Sequence, residues 1–125
     1  MIKEVLSLIK ELVELSKNLI ENNTKKRIKK EEEETELLKK IILYQRNLKR
    51  LNPKEYSPQD FIDNQNKIAD IIKTIFSVEM ANTFVKDNLN IYWALRYNSK
   101  IDDLMVEQSL EKFISIANRD GYNVQ

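Results

Sequence analysis

Residues 2–22 read IKEVLSL IKELVEL SKNLIEN, three seven-residue blocks that align almost letter for letter. In each of the first two blocks four of the seven positions are apolar, and lysine, glutamate or serine occupies the others. A two-stranded coiled coil needs only two apolar positions in seven, so a stripe this wide predicts contact with at least two neighbouring helices. The segment therefore predicts one helix of a bundle rather than one half of a simple coiled coil.

The composition of the whole chain favours helices. Its 125 residues include one glycine and two prolines, which leaves few places for tight turns, and leucine, isoleucine, lysine, glutamate and asparagine dominate. This length suits one domain that buries about two thirds of its unfolded surface. We therefore predict a single all-α domain, a small bundle of roughly four to six helices.

Missing residue types exclude several kinds of chemistry. The chain contains no cysteine and no histidine. Disulfides, thiolate nucleophiles and cysteine-based metal sites are therefore excluded, and so are the commonest general base and the Glu-x-x-His motif of di-iron bundles. One glycine cannot build a phosphate-binding loop. We expect no enzymatic activity and no cofactor.

Paired carboxylates are the remaining candidates for a metal site. The spacing in Glu33-x-x-Glu36 and Asp60-x-x-Asp63 is similar to that of the magnesium-binding motifs of some all-helical nucleotide hydrolases. A run of glutamates contains the first motif by chance, however, and both aspartates fall in the predicted first turn of a helix, where the helix dipole favours negative charge. We therefore interpret these residues as solvated or capping groups and predict no metal site.

The amino-terminal half is predicted to be an antiparallel helical hairpin over residues 1–52, with a charged connector at 24–36. The connector carries five positive charges followed by five negative ones, and it can be either a solvated helical turn or a mobile loop. A second helix follows, with apolar residues spaced alternately four and three apart and an end near Asn52-Pro53. Its predicted buried seam is Leu37, Ile41, Tyr44, Leu48 and Leu51.

The carboxyl-terminal part, residues 57–121, is predicted to hold an aromatic-rich helical core. Ser57-Pro58-Gln59-Asp60 combines an N-cap serine, a proline at the first helical position and an acidic residue three after the cap. Ser77 either interrupts the helix that starts there or caps the next one. A turn is predicted over residues 87–90, a Ser-x-x-Asp cap over residues 99–102, and a helix end at Gly121.

Positive charge is concentrated in the second helix. Residues 37–56 carry six lysines or arginines and one glutamate. At about 100° per residue, Lys39, Arg46 and Arg50 lie opposite the predicted seam, in a stripe that could follow a nucleic-acid backbone. Lys25, Lys26 and Arg27 would extend it. The alternative is that these residues only solvate the outer face of an amphipathic helix.

Aromatic residues form the other cluster that points to a function. Tyr92 and Arg96 are one helical turn apart, as are Trp93 and Tyr97. Two sides of one short helix are therefore aromatic, and tryptophan, tyrosine and arginine are the residue types that dominate protein interfaces. The alternative is that Trp93 fills the core. We predict a protein-binding surface at Tyr92, Trp93, Arg96 and Tyr97.

These observations favour a non-enzymatic, cytoplasmic helical protein that binds another protein as a regulator, inhibitor or assembly subunit. Charged residues interrupt the amino-terminal apolar stretches, so we expect neither a signal peptide nor a membrane span. The alternative function is sequence-nonspecific binding of RNA or DNA, and a third hypothesis is self-association through the hairpin. The frequent isoleucine, lysine and asparagine are typical of AT-rich genomes and point to a phage or other mobile element.

Overall fold

The computed structural model describes residues 9–17, 27–97 and 103–124. These residues contain helices and turns but no strand, so the predicted all-α fold is confirmed. Residues 9–17 are helical and are called α1. The other elements are α2 (Arg27–Asn47), 3-10 turns at Leu48–Arg50 and Pro53–Glu55, α3 (Pro58–Ile75), α4 (Val78–Arg96) and α5 (Asp103–Arg119).

Helix α2 is longer and more deeply buried than its sequence pattern suggested. Residues 27–36, expected to be a connector, form its first turns. All five predicted seam residues are buried, but so are the neighbouring Leu38, Ile42 and Gln45. The buried side of α2 is therefore wider than the predicted seam, because a narrow seam suits contact with one helix, whereas α2 contacts α1, α4 and α5.

Two serines set the starts of α3 and α4. The Ser57 hydroxyl oxygen accepts a hydrogen bond from the backbone N–H of Asp60 at 3.2 Å, and Pro58 occupies the first helical position as predicted. The Ser77 hydroxyl accepts from the backbone N–H of Met80 at 3.2 Å. Ser77 therefore acts as a cap between two helices, and α3 and α4 are separate elements.

The turn predicted over residues 87–90 is wrong. Helix α4 continues through it, and Asn88 is fully buried. Asparagine usually favours turns because its side chain competes for backbone hydrogen bonds. Here the Asn88 amide binds the side chains of Gln45 and Gln65 instead, so it leaves the helical backbone intact.

Helix α5 ends where the sequence predicted. Gly121 has a backbone φ of 97°, a conformation that favours glycine. The N–H of Tyr122 donates to the carbonyl of Ala117, and the N–H of Gly121 donates to that of Asn118, which is the Schellman pattern of helix ends. The serine cap predicted over residues 99–102 lies outside the described residues.

Helix α4 lies at the centre of the bundle, with α3 and α5 antiparallel to it. The ring of Phe61 contacts Tyr92, and one turn further along α3 the side chain of Gln65 binds that of Asn88, so the two chains run in opposite directions. Helix α5 runs antiparallel to α4 in the same way, since Arg119 pairs with Glu79 at 2.6 Å and Phe113 contacts Phe84.

Helix α1 adds Ile9 and Leu12 to the core. An ion pair of 3.3 Å between Glu11 and Lys40 joins it to α2. The turn of the predicted hairpin, near residue 23, lies outside the described residues. None of the helices in the described part of the chain is both long and apolar enough to span a membrane.

Candidate functional site

Tyr92 lies in the core. Its ring stacks on Phe61 with centroids 4.3 Å apart and planes inclined by 15°. Its hydroxyl donates a hydrogen bond of 2.5 Å to the backbone carbonyl of Tyr56. Only 1% of Tyr92 is exposed, so this member of the predicted protein-binding surface cannot contact a partner while the fold is intact.

Trp93 and Tyr97 form a second stack on the outside of α4. Their ring centroids are 5.8 Å apart and their planes are inclined by 18°. Trp93 is 37% exposed and Tyr97 is 72% exposed. Successive residues of a helix point about 100° apart, so Tyr92 faces α3 whereas Trp93 points away from the core. The structure therefore separates the predicted aromatic cluster into a buried half and an exposed half.

Arg96 lies at the boundary between the two stacks. It is exposed, and its Nη1 lies 3.3 Å from the Tyr92 hydroxyl, to which it donates a hydrogen bond. The guanidinium is therefore held against the hydroxyl of the buried Tyr92. Arginine beside tryptophan and tyrosine is the composition of protein-interface hot spots.

Helix α5 brings two more exposed apolar residues to the same level. Phe84 of α4 contacts Phe113 of α5, and the two helices run antiparallel. Nine residues from this contact along each helix, Trp93 of α4 therefore lies level with the first turns of α5. Leu104 and Met105 lie there, 64% and 47% exposed. We call the four residues Trp93, Tyr97, Leu104 and Met105 the apolar end. The sequence pattern of α4 and α5 gave no sign that the two pairs would share one end of the bundle.

The predicted basic stripe on α2 is only partly open. The Arg46 guanidinium forms a two-pronged ion pair with Glu107, with nitrogen to oxygen distances of 3.0 and 3.4 Å, and Lys49 pairs with Asp103. Both partners are on α5, which packs beside the stripe because the buried side of α2 is wide. Lys39 and Arg50 are exposed.

The other three residues predicted for nucleic-acid binding are Lys25, Lys26 and Arg27. Lys25 and Lys26 fall outside the described residues, and Arg27 is the first residue of α2. A cleft of about 450 Å³ runs between the carboxyl-terminal part of α2 and the first turns of α5. Its lining includes both ion pairs, together with Leu43 and Val106.

An acidic recess of about 710 Å³ lies beside the amino-terminal half of α2. Its lining includes Glu31, Glu32, Glu34, Glu36, Lys39 and the turn 120–123. Burial, followed by the nearby carboxylates of Glu34, Asp120 and Glu31, raises the pKa of Tyr122 to about 12. Among the described residues no group of three or more carboxylates is arranged to hold a metal ion.

A layer of buried amides crosses the centre of the bundle, and the sequence analysis missed it. The Gln45 amide N–H₂ donates to the Asn88 side-chain oxygen at 2.8 Å, and the Asn88 amide donates to the Gln65 oxygen at 2.8 Å. Gln65 in turn donates to the hydroxyl of Tyr44, whose pKa is raised mainly by burial. The sequence positions of Gln65 and Asn88 could have indicated this layer, because each lies one helical turn from a buried aromatic residue.

Comparison with known proteins adds no relative. Protein-family models, curated proteins and solved structures all yielded no match to this chain.

Proposed function

We propose that the chain is a non-enzymatic helical protein that acts by binding another protein through the apolar end, as a regulator, inhibitor or assembly subunit. The observation that carries this proposal is the grouping of exposed apolar residues. Seven large hydrophobic residues of the described part are exposed, and four of them, Trp93, Tyr97, Leu104 and Met105, lie at one end of α4 and α5. Of the other three, Val13 is on α1, Leu43 is on α2 beside the first turns of α5, and Val78 is at the opposite end of α4.

Grouped and scattered apolar residues have different meanings. Single exposed apolar side chains are ordinary on protein surfaces, whereas a contiguous patch marks an interaction site. Within the apolar end, the stack of Trp93 on Tyr97 is such a contact. The stack of Trp93 on Tyr97 also holds both rings in place before binding, so a partner that covers them loses less side-chain entropy. Arg96, which is exposed and next to Tyr97 in the sequence, supplies a cation at the same end of α4. These features favour a partner with an apolar contact surface and a polar or acidic rim.

The test compares three forms of the full chain in affinity capture from cells of the organism that encodes it. The surface variant is Tyr97→Ser with Leu104→Ser, which removes the two most exposed residues of the apolar end. The control is Val78→Ser, since Val78 is 52% exposed but lies at the opposite end of α4. We expect a partner that the unchanged chain and the control retain equally and that the surface variant loses by roughly tenfold or more.

Two outcomes would contradict the proposal. One is a set of captured proteins that is the same for all three forms, which would leave the apolar end without a role. The other is turnover of a nucleotide or nucleic acid that is abolished when Glu36 or Asp60 is changed to alanine, since the chain would then be an enzyme. If capture finds a partner, titration of the recombinant partner with each of the three forms should show the same loss of binding in the surface variant.

A further inference from the structure

Two ion pairs between α2 and α5 have matched spacing. Arg46 and Lys49 are three residues apart on α2, and their partners Glu107 and Asp103 are four residues apart on α5. Each spacing is about one helical turn, so the two helices present their charges at the same level. The acidic side of the first turns of α5 therefore lies along the basic side of α2.

The four cations of this side form a row. Lys39, Arg46, Lys49 and Arg50 span roughly 17 Å along α2 and the following turn. Within the described residues neither Lys39 nor Arg50 has a hydrogen bond or ion pair, whereas Arg46 and Lys49 are neutralised by α5. Two cations of the row are thus unpaired, although Lys39 also lines the acidic recess, and two are covered by α5.

The covering pairs lie at the surface rather than in the core. The Arg46 and Glu107 side chains are 41% and 50% exposed, and those of Lys49 and Asp103 are 29% and 79% exposed. Ion pairs this exposed contribute little to stability, because water and salt screen them. A ligand that brings several linked phosphates can replace both carboxylates at little cost to the fold.

We propose that the basic face of α2, defined by Lys39, Arg46, Lys49 and Arg50, binds the phosphate backbone of a nucleic acid, and that Asp103 and Glu107 of α5 make an autoinhibitory contact with it. Binding requires the two carboxylates to leave the cations. This inference goes beyond the proposed protein-binding function and uses a different surface. The backbone is the chosen ligand because the row is long and nearly devoid of apolar groups, Leu43 being the exposed exception.

The test neutralises the two carboxylates that pair with the basic face and keeps all four cations. Asp103→Asn with Glu107→Gln, the uncovered variant, is compared with Asp63→Asn and Asp70→Asn, which make the same change in net charge on exposed positions of α3. Affinity for a labelled oligothymidylate of about 20 nucleotides is measured by fluorescence anisotropy in full-length proteins at low salt. We expect the uncovered variant to bind roughly tenfold more tightly than the unchanged chain, and the α3 control to differ by less than about threefold.

The salt dependence provides a second readout. Each phosphate contact contributes about 0.7 to the slope of log affinity against log salt for a single strand, so removing the cations Arg46 and Lys49 should make the slope of the uncovered variant shallower by about 1.4. Changing Arg46 and Lys49 to glutamine in the uncovered variant should abolish the gain. Glu107→Gln alone should give roughly half of it on a logarithmic scale, and this milder variant applies if the double change alters the circular dichroism spectrum.

Three results would overturn the proposal. The first is an equal gain in the uncovered variant and the α3 control, which would indicate only a general effect of charge. The second is no gain in the uncovered variant or in Glu107→Gln, whichever of them is folded. The third is equally effective competition by a polyglutamate peptide, which would assign the basic face to an acidic protein instead of a nucleic acid.

Discussion

The two aromatic stacks of α4 have similar ring inclinations but different environments, and their ring centroids are 4.3 and 5.8 Å apart. Phe61–Tyr92 and Trp93–Tyr97 have similar interplanar angles of 15° and 18°, and they use adjacent residues of the same helix. Yet Tyr92 is 1% exposed and Tyr97 is 72% exposed. The first stack is sealed because α3 covers that side of α4, while the side that carries Trp93 points away from the core.

Aromatic content alone therefore does not distinguish a core residue from an interface residue. A buried ring contributes the free energy of its burial to folding, whereas an exposed ring leaves most of that free energy for a binding event. The inner stack should therefore control stability, and the outer stack should control association. Substitutions at the two stacks can separate these roles.

The largest expected effect is at the inner stack. Tyr92→Ala removes the ring from Phe61 and leaves the Tyr56 carbonyl without its hydroxyl donor, so we expect the free energy of unfolding to fall by about 3–5 kcal/mol. Urea unfolding followed by circular dichroism measures this loss. Tyr92→Phe keeps the ring and should cost about 1–2 kcal/mol. A loss from Tyr92→Ala no larger than that from Trp93→Ala would contradict the assignment of the inner stack to the core.

The amide layer on the same buried side of α4 should give the next largest effect. Asn88→Ala removes two hydrogen bonds and leaves the buried amides of Gln45 and Gln65 each short of a partner, which we expect to cost about 2–3 kcal/mol of unfolding free energy. Asn90→Ala is the matched control, because Asn90 is exposed two residues further along α4. The same urea measurement would argue against the layer if both variants were equally stable.

The outer stack should affect folding far less. Trp93→Ala is expected to lower the free energy of unfolding by about 1–2 kcal/mol, since 37% of Trp93 is exposed whereas Tyr92 is almost fully buried. Thermal unfolding of the two variants, Trp93→Ala and Tyr92→Ala, compares the stacks directly. An equally large fall in melting temperature would show that Trp93 belongs to the core.

The smallest effect is expected at Tyr122, whose exposure lies between that of the inner stack and that of the outer stack. Its ring packs edge-on against Phe76, with ring centroids 5.1 Å apart. Its pKa is raised from 10.0 to about 12, so the folded state holds the proton more tightly than the unfolded state. This stabilisation is complete below pH 10 and is lost as the pH rises through 12. Unfolding free energies measured across this window should fall less steeply in Tyr122→Phe, and parallel curves would contradict the predicted linkage.

The sequence indicated the starts of α3 and α4 and the end of α5, because these depend on local chemistry. The end predicted near Asn52-Pro53, in contrast, lies beyond the observed end of α2 at Asn47, which a 3-10 turn follows. Ser57 and Ser77 cap through their own hydroxyls, and Gly121 ends α5 through its backbone conformation. The error at Asn88 has the opposite cause. Asparagine was assigned to a turn from its local preference, whereas a contact with Gln45, 43 residues away in the chain, keeps it in the helix.

The candidate surfaces were less predictable because they depend on packing between helices. Helical spacing grouped Tyr92 with Arg96 and Trp93 with Tyr97, but only the position of α3 decides that Tyr92 is the member that is buried. The same holds for α2, where its own periodicity placed Arg46 opposite the seam. The approach of α5, which no single-helix pattern contains, brings Glu107 onto it.

The exposed Trp93 also makes the chain its own spectroscopic probe. It is the sole tryptophan in the sequence, so all indole emission comes from one ring of known environment. A protein that covers the apolar end should shift this emission to the blue and protect it from iodide quenching, whereas a nucleic acid bound only to the basic face of α2 should leave indole accessibility nearly unchanged. The emission wavelength and the iodide quenching of one unlabelled sample can thus distinguish the two binding modes.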